Sequence, residues 1–125
     1  MKETKLFERT INLIGLPAFE RLRKAKILIA GIGGVGSYVA EALARSGIGE
    51  LVLIDKDVVE ITNLNRQLHA TLNTLNRPKV EAMADRLSLI NPYLKIGLFQ
   101  DEIMPGYLEN TFQSQHFTYV ADCVD

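Results

Sequence analysis

Apolar positions along the chain follow two rhythms that alternate from one segment to the next. Leu6, Phe7, Ile11 and Ile14 recur at helical spacing until Gly15 interrupts them. Pro17 suits the first turn of a second helix, with Phe19 and Leu22 apolar and Arg21, Arg23 and Lys24 exposed. Lys26-Ile27-Leu28-Ile29-Ala30 is a continuous β-rich run, the pattern of a strand buried on both faces. A helix is predicted from about 34 to 46, with Val35, Val39, Ala42 and Leu43 on one face and Gly47 placed for a left-handed stop. Leu51-Val52-Leu53-Ile54 reads as a second buried strand, closed by Asp55. Residues 56–77, rich in Asn and Thr, predict only local order. Pro78 opens a further helix at its first position, carries Val80, Met83, Leu87 and Ile90 as a stripe, and gives way to Asn91-Pro92. A third strand is expected near 94–99, a short helix over about 106–113 and a fourth strand at 117–121.

Alternation of this kind predicts an α/β fold: a mostly parallel sheet with right-handed crossovers and helices on both faces. Short helices over residues 1–25 precede it, and the 125 residues suffice for one domain spanning 1–125. A net charge of −1 removes any bulk attraction for nucleic acid. Seven Lys/Arg against three Glu in residues 1–30 leave the start basic and the remainder acidic, an imbalance that solvated helix surfaces account for. Cys123 is the single cysteine, so an intramolecular disulfide is excluded and a reducing compartment fits. The sequence has no apolar stretch of membrane-spanning length, and its first residues lack the apolar core of a secretory signal. Cytoplasm is the expected location.

The first strand runs straight into Gly31-Ile32-Gly33-Gly34-Val35-Gly36. Gly31 permits a tight turn, Gly33 and Gly34 leave no Cβ between backbone and ligand, and Gly36 lets the helix approach the strand. Free N–H groups at the helix start then face a phosphate with the positive end of the dipole. Asp55, about 20 residues beyond the turn, stands where a ribose acid belongs. Residues 26–67 thus predict a Rossmann-like nucleotide-binding βαβ unit. A dehydrogenase binding NAD needs little more than this. Here Asp55, Asp57, Asn63, Asn65, Arg66 and Gln67 crowd into 13 residues, and Lys79 follows. Singly, Arg66 and Lys79 read as surface charges and Asn63 and Asn65 as turn formers. As a set, the two cations suit a triphosphate better than a pyrophosphate, which points to ATP.

Together with Ser46-Gly47-Ile48-Gly49, Asp55-Lys56-Asp57, Asn63-Leu64-Asn65-Arg66-Gln67 and Arg77-Pro78-Lys79, the glycine turn resembles the adenylyltransferases of the ThiF/MoeB/HesA type. These are bacterial relatives of ubiquitin-activating enzymes. The resemblance runs from about Phe7 to Asp125 and covers about the first half of a typical member. It implies binding of ATP and Mg2+, adenylation of a carboxylate, release of pyrophosphate and a homodimer. Position by position, it implies that Asp55 holds the ribose and that Asn63 and Arg66 meet the phosphates. Lys79 would neutralise the leaving groups, and Asp125 would position Mg2+. Gln67 belongs to the same motif, Asp57 matches a regularly acidic position, and Arg9 matches an arginine that reaches a partner's triphosphate across the dimer interface.

Leu68-His69-Ala70-Thr71, Glu41-Ala42-Leu43-Ala44-Arg45-Ser46-Gly47 and Ile90-Asn91-Pro92 are similar to the branch of tRNA threonylcarbamoyladenosine dehydratases. That branch implies a modified tRNA as substrate, with ring closure and net loss of water after adenylation. Three alternatives stay open: activation of a sulfur-carrier or ubiquitin-like C-terminus, an NAD-dependent oxidoreductase, and a non-catalytic fragment. The sequence ends as a strand reaches its carboxyl edge, so the chain is expected to be the N-terminal part of a longer domain. By itself it is expected to bind ATP weakly or not at all, and not to turn over. His69 and His116 read as ordinary loop or surface histidines, and Cys123 as a small buried residue.

Overall fold

A computed structural model describes residues 2–125. Three short helices come first: α1 (Glu3–Leu6), α2 (Glu8–Ile14) and α3 (Leu16–Lys24). The order continues β1 (Lys26–Ala30), α4 (Gly36–Ser46), β2 (Glu50–Ile54), a 3-10 turn (Ile61–Asn63), α5 (Lys79–Ile90), β3 (Lys95–Phe99), α6 (Tyr107–Thr111) and β4 (Tyr119–Asp122). The four strands form one sheet in the order β3-β2-β1-β4, and every pairing is parallel.

Burial follows from that order. Central strands β1 and β2 are the continuous apolar runs, with Leu28, Ile29, Leu51, Leu53 and Ile54 essentially closed to solvent. One face of the sheet carries α4 and α5: Ile29 and Leu53 pack with Ala40, Ala44, Met83 and Leu87. On the other face Leu28, Ala30, Val52 and Ile54 pack against Phe112 and the residues of α6. Phe7 and Phe19 join the N-terminal helices to the end of α4 at Gly47, which holds φ 105° as its left-handed stop. Among the described residues no helix is long and apolar enough to cross a membrane.

The expected architecture is present, with local corrections. Helix α4 starts at Gly36 rather than 34, because residues 31–35 are needed for the turn. Its buried face is Gly36, Ser37, Ala40 and Ala44, while Val35 and Ala42 are exposed. Small residues face the sheet because the helix lies close to it. Pro78 is the residue before α5 rather than its first, since its ψ of 133° is extended and it bridges Val58.

Candidate functional site

Strand order fixes where a ligand can sit. The chain steps outward from β1 to β2 to β3, then returns to the other side of β1 as β4. The crossovers through α4 and α5 therefore cover one face of the sheet and that through α6 the other, and such a reversal leaves a crevice at the carboxyl ends of the strands. A cavity of about 320 Å3 lies there. Each strand contributes: Gly31 and Gly33 after β1, Asp55–Asp57 after β2, Asp101–Ile103 after β3 and Cys123–Asp125 after β4, with Gln67 and Lys79 completing the wall.

The turn requires glycine at two places for reasons of the protein itself. Gly31 holds φ 91°, and a Cβ there would stand 2.8 Å from the Cys123 carbonyl oxygen, so the turn lies directly on the residue after β4. A Cβ on Gly36 would overlap the Gly31 carbonyl oxygen, so the first turn of α4 rests on the loop that precedes it. Gly33 differs. A Cβ there would meet only Gln67 Nε2, at 3.7 Å, and the space beyond it is the cavity.

Asp55 anchors the turn from the neighbouring strand. Its Oδ2 accepts the Ile32 N–H at 2.7 Å and its Oδ1 the Asp57 N–H at 2.8 Å. Each carboxylate oxygen keeps accepting capacity, and Asp55 lines the cavity. Lys79, the first residue of α5, is only 7% exposed. Its backbone N–H donates to the Asp57 carbonyl at 3.0 Å, while its ammonium stands 4.0 Å from Asp57 Oδ2, at the limit of an ion pair. A buried ammonium so weakly compensated has a place for another anion. Gln67 is also buried, and its Oε1 has no hydrogen-bond partner among the described residues. Five carboxylates, Asp55, Asp57, Asp101, Glu102 and Asp125, outnumber the ammoniums of Lys56 and Lys79 around the cavity.

Not every expected residue lines it. Asn63 is buried, but its Oδ1 accepts the Glu60 N–H at 2.8 Å and caps the 3-10 turn. Arg66 is exposed, its guanidinium bound to the Thr62 carbonyl at 3.0 Å and to Asn65 Oδ1 at 2.9 Å, with its stem alongside Gly34. Arg9 lies exposed on α2 and Gly36 lies beneath the turn.

Sequence reasoning missed Lys56, Asp101, Glu102 and Ile103, whose one signal was their position just after a strand. Tyr107 donates to Asp101 Oδ2 at 2.7 Å and so holds that carboxylate at the rim. Burial and this bond push the Tyr107 phenol up to about 12. His69 lies in a loop, as expected, but it is 2% exposed and lies behind the glycine turn. Burial holds its imidazole below the ordinary histidine range, helped by the charge of Lys79 and opposed by the Ile32 carbonyl and Asp55. Cys123 is half-buried at the cavity wall rather than fully buried, and burial, with Asp122, raises its thiol, which is unlike an activated nucleophile.

Comparison with known proteins agrees with this geometry. Residues 7–125 match the ThiF family. The tRNA threonylcarbamoyladenosine dehydratase of Haemophilus influenzae is 49% identical over 84% of this chain and 40% of its own length. The molybdopterin-synthase adenylyltransferase of the same organism is 38% identical over 85% of this chain and 43% of its own. A crystal structure of the E. coli tRNA N6-threonylcarbamoyladenosine dehydratase in complex with ATP superposes with a TM-score of 0.93 at 41% identity, covering 98% of this chain and 50% of that one. The chain thus spans about half the length of the proteins it matches, or less.

Proposed function

Since the chain belongs to the ThiF family, we propose that its cavity binds ATP with Mg2+ as the nucleotide half of an enzyme that adenylates a carboxylate. The observation that carries this reading is the pairing of a bare glycine turn with the buried ammonium of Lys79 across one cavity. Asp55 is proposed to accept from the ribose hydroxyls, and Gly33 to offer its N–H to phosphate. Lys79 would stabilise the charge that grows on departing pyrophosphate. The acid-rich lining fits the metal: a triphosphate beside five carboxylates needs a cation, and Asp125 with Asp57 supplies hard oxygen donors for it. Mg2+ keeps most of its water and is held by one or two carboxylates plus phosphate, so a dense ligand cluster is not required. Bound ATP would supply the adenylyl group that turns a carboxylate into an activated acyl donor.

Asn63 is proposed to shape the loop that carries Arg66, which swings from its present carbonyl partners toward phosphate. Arg9, on the outer helix α2, is proposed to serve the site of a second copy in a homodimer. The favoured substrate is the threonylcarbamoyl side chain of a modified tRNA adenosine, closed to a ring with loss of water. What supports it is the superposition on a dehydratase of that name, with a TM-score of 0.93 over 98% of this chain. Identity does not separate the branches, since a ubiquitin-like modifier-activating enzyme 5 of Drosophila virilis is 49% identical over 86% of this chain, as the dehydratase is over 84%.

The test supplies ATP and Mg2+ with either modified tRNA or a carrier peptide ending in Gly-Gly, and follows pyrophosphate exchange and the mass of the nucleoside. Exchange and loss of water with the tRNA alone are expected of the family-length enzyme. Stimulation by the peptide, with the tRNA inert, would transfer the reading to a carrier-protein activator. Tight NADH binding without ATP binding would return it to the oxidoreductases.

A further inference from the structure

Two successive peptide planes of the glycine turn are each held by a side chain from elsewhere in the chain. The Ile32 N–H, part of the Gly31–Ile32 peptide, donates to Asp55 Oδ2 at 2.7 Å. The Ile32 carbonyl, part of the Ile32–Gly33 peptide, lies 2.8 Å from His69 Nε2. A carbonyl only accepts, so Nε2 carries the proton and the lone pair resides on Nδ1. That Nδ1 is buried and has no hydrogen-bond partner among the described residues. An unpaired buried acceptor costs stability, and an apolar side chain would fill the space without it. Packing alone therefore gives no reason for histidine here; the bond to the turn does.

The peptide plane makes that bond consequential. In a trans peptide the C=O and the following N–H point in opposite directions. With the Ile32 carbonyl held toward the buried ring, the N–H of the same unit belongs to Gly33 and points the other way. Gly33 lines the cavity. The segment bearing His69 is itself secured, since Leu68 N–H donates to Ser37 Oγ at 3.3 Å and Thr74 Oγ1 donates to the His69 carbonyl at 2.7 Å.

We propose that His69 is a positioning residue of the nucleotide site: through the Ile32 carbonyl its Nε2–H holds the Gly33 N–H in the phosphate-facing orientation. This rests on the ATP reading above, and it assigns the residue a task at the turn rather than in substrate contact. Nitrogen-edited NMR of the 125-residue chain with labelled histidine reads the tautomer directly, and amide spectra report on Gly33. Both are measured without nucleotide. The same samples are then titrated with ATP and magnesium, for the native chain, His69→Leu and His69→Gln.

The expected results are an Nε2–H tautomer, and a displaced, faster-exchanging Gly33 amide in His69→Leu. ATP affinity should fall about tenfold in that variant and return to within about threefold of native in His69→Gln, whose amide restores a donor. An Nδ1–H tautomer overturns the proposal, as does a His69→Leu chain with an unmoved Gly33 amide and native affinity. Should His69→Leu fail to fold, the tautomer and His69→Gln decide: a displaced Gly33 amide in His69→Gln counts against the proposal and a native one for it. Should the native chain bind no ATP, the nucleotide reading is decided on the family-length enzyme, while the tautomer and the Gly33 amide still judge the hold on the turn.

Discussion

At the scale of single residues the glycines divide by what a methyl group would strike. Gly36→Ala places carbon on the Gly31 carbonyl oxygen. Thermal or denaturant unfolding should show a loss of about 3 kcal/mol or failure to fold, the range of severe overpacking. Gly33→Ala has room, with Gln67 Nε2 at 3.7 Å, so stability should change by less than about 1 kcal/mol while ATP binding weakens. Equal stability losses in the two variants would contradict this division. The sequence motif already assigns Gly33 to the ligand and Gly36 to close packing; what it leaves out is the obstacles at Gly36, the Gly31 carbonyl of the folded turn and Cys123, remote in sequence. Asp55, expected from its spacing after the turn, and Lys79, expected as a second cation, both line the cavity; Asn63 does not, since its cap on Glu60 N–H is a local choice among bonding options that its position in the motif does not reveal. His69 was hidden for a similar reason: only folding shows that its ring reaches Ile32.

Burial of His69 also has a pH consequence. Its folded pKa is depressed, so as pH falls below about 6.5 the unfolded chain takes a proton that the native chain refuses. Stability contributed at neutral pH is lost progressively until pH drops beneath the folded value, where the loss levels off. Denaturant titrations at about pH 7.5 and pH 5.5 should show a smaller decline for His69→Gln than for the native chain. An identical decline would show that the ring titrates as it does in water.

Among the elements, α4 and α5 are joined by more than their apolar faces. Arg86 Nε donates to Glu41 Oε1 at 2.5 Å, and Arg45 reaches the same carboxylate at 3.1 Å. The bond from Arg86, then that from Arg45, hold the Glu41 carboxyl below its usual range against the opposing effect of burial. This contribution is present above the ordinary carboxylate range and is lost as pH falls through the folded value. A double-mutant cycle on Glu41→Gln and Arg86→Met should give a coupling of about 1 kcal/mol, limited by solvent around the arginine. Coupling near zero would reduce the pair to surface decoration. The elements themselves were largely legible because the buried strands β1 and β2 are unbroken apolar runs. The helix boundaries were less so. Small residues on the inner face of α4 carry little periodic signal, and Val35, apolar but exposed, pulled the expected start too early.

For the molecule as a whole, topology does what no single motif can. Strand pairing and the reversal of order at β1 gather residues from the ends of four strands into one cavity: β3 beside β2 brings Asp101 and Glu102 to Asp55 from some 46 positions away, and β4 beside β1 brings Cys123–Asp125 to the glycine turn. The acidic lining makes magnesium part of the account, so removal of the metal with a chelator should weaken ATP binding, read by titration. Undiminished binding would mean that the carboxylates face away from the phosphates. The central claim is that this cavity takes ATP rather than a nicotinamide dinucleotide, and amide NMR of the chain titrated with millimolar ATP and magnesium, then separately with NADH, tests it most directly. The account predicts saturable movement of the Ile32–Gly36, Asp55, Gln67 and Lys79 resonances with ATP and none with NADH; the same resonances moving with NADH and still with ATP would contradict it.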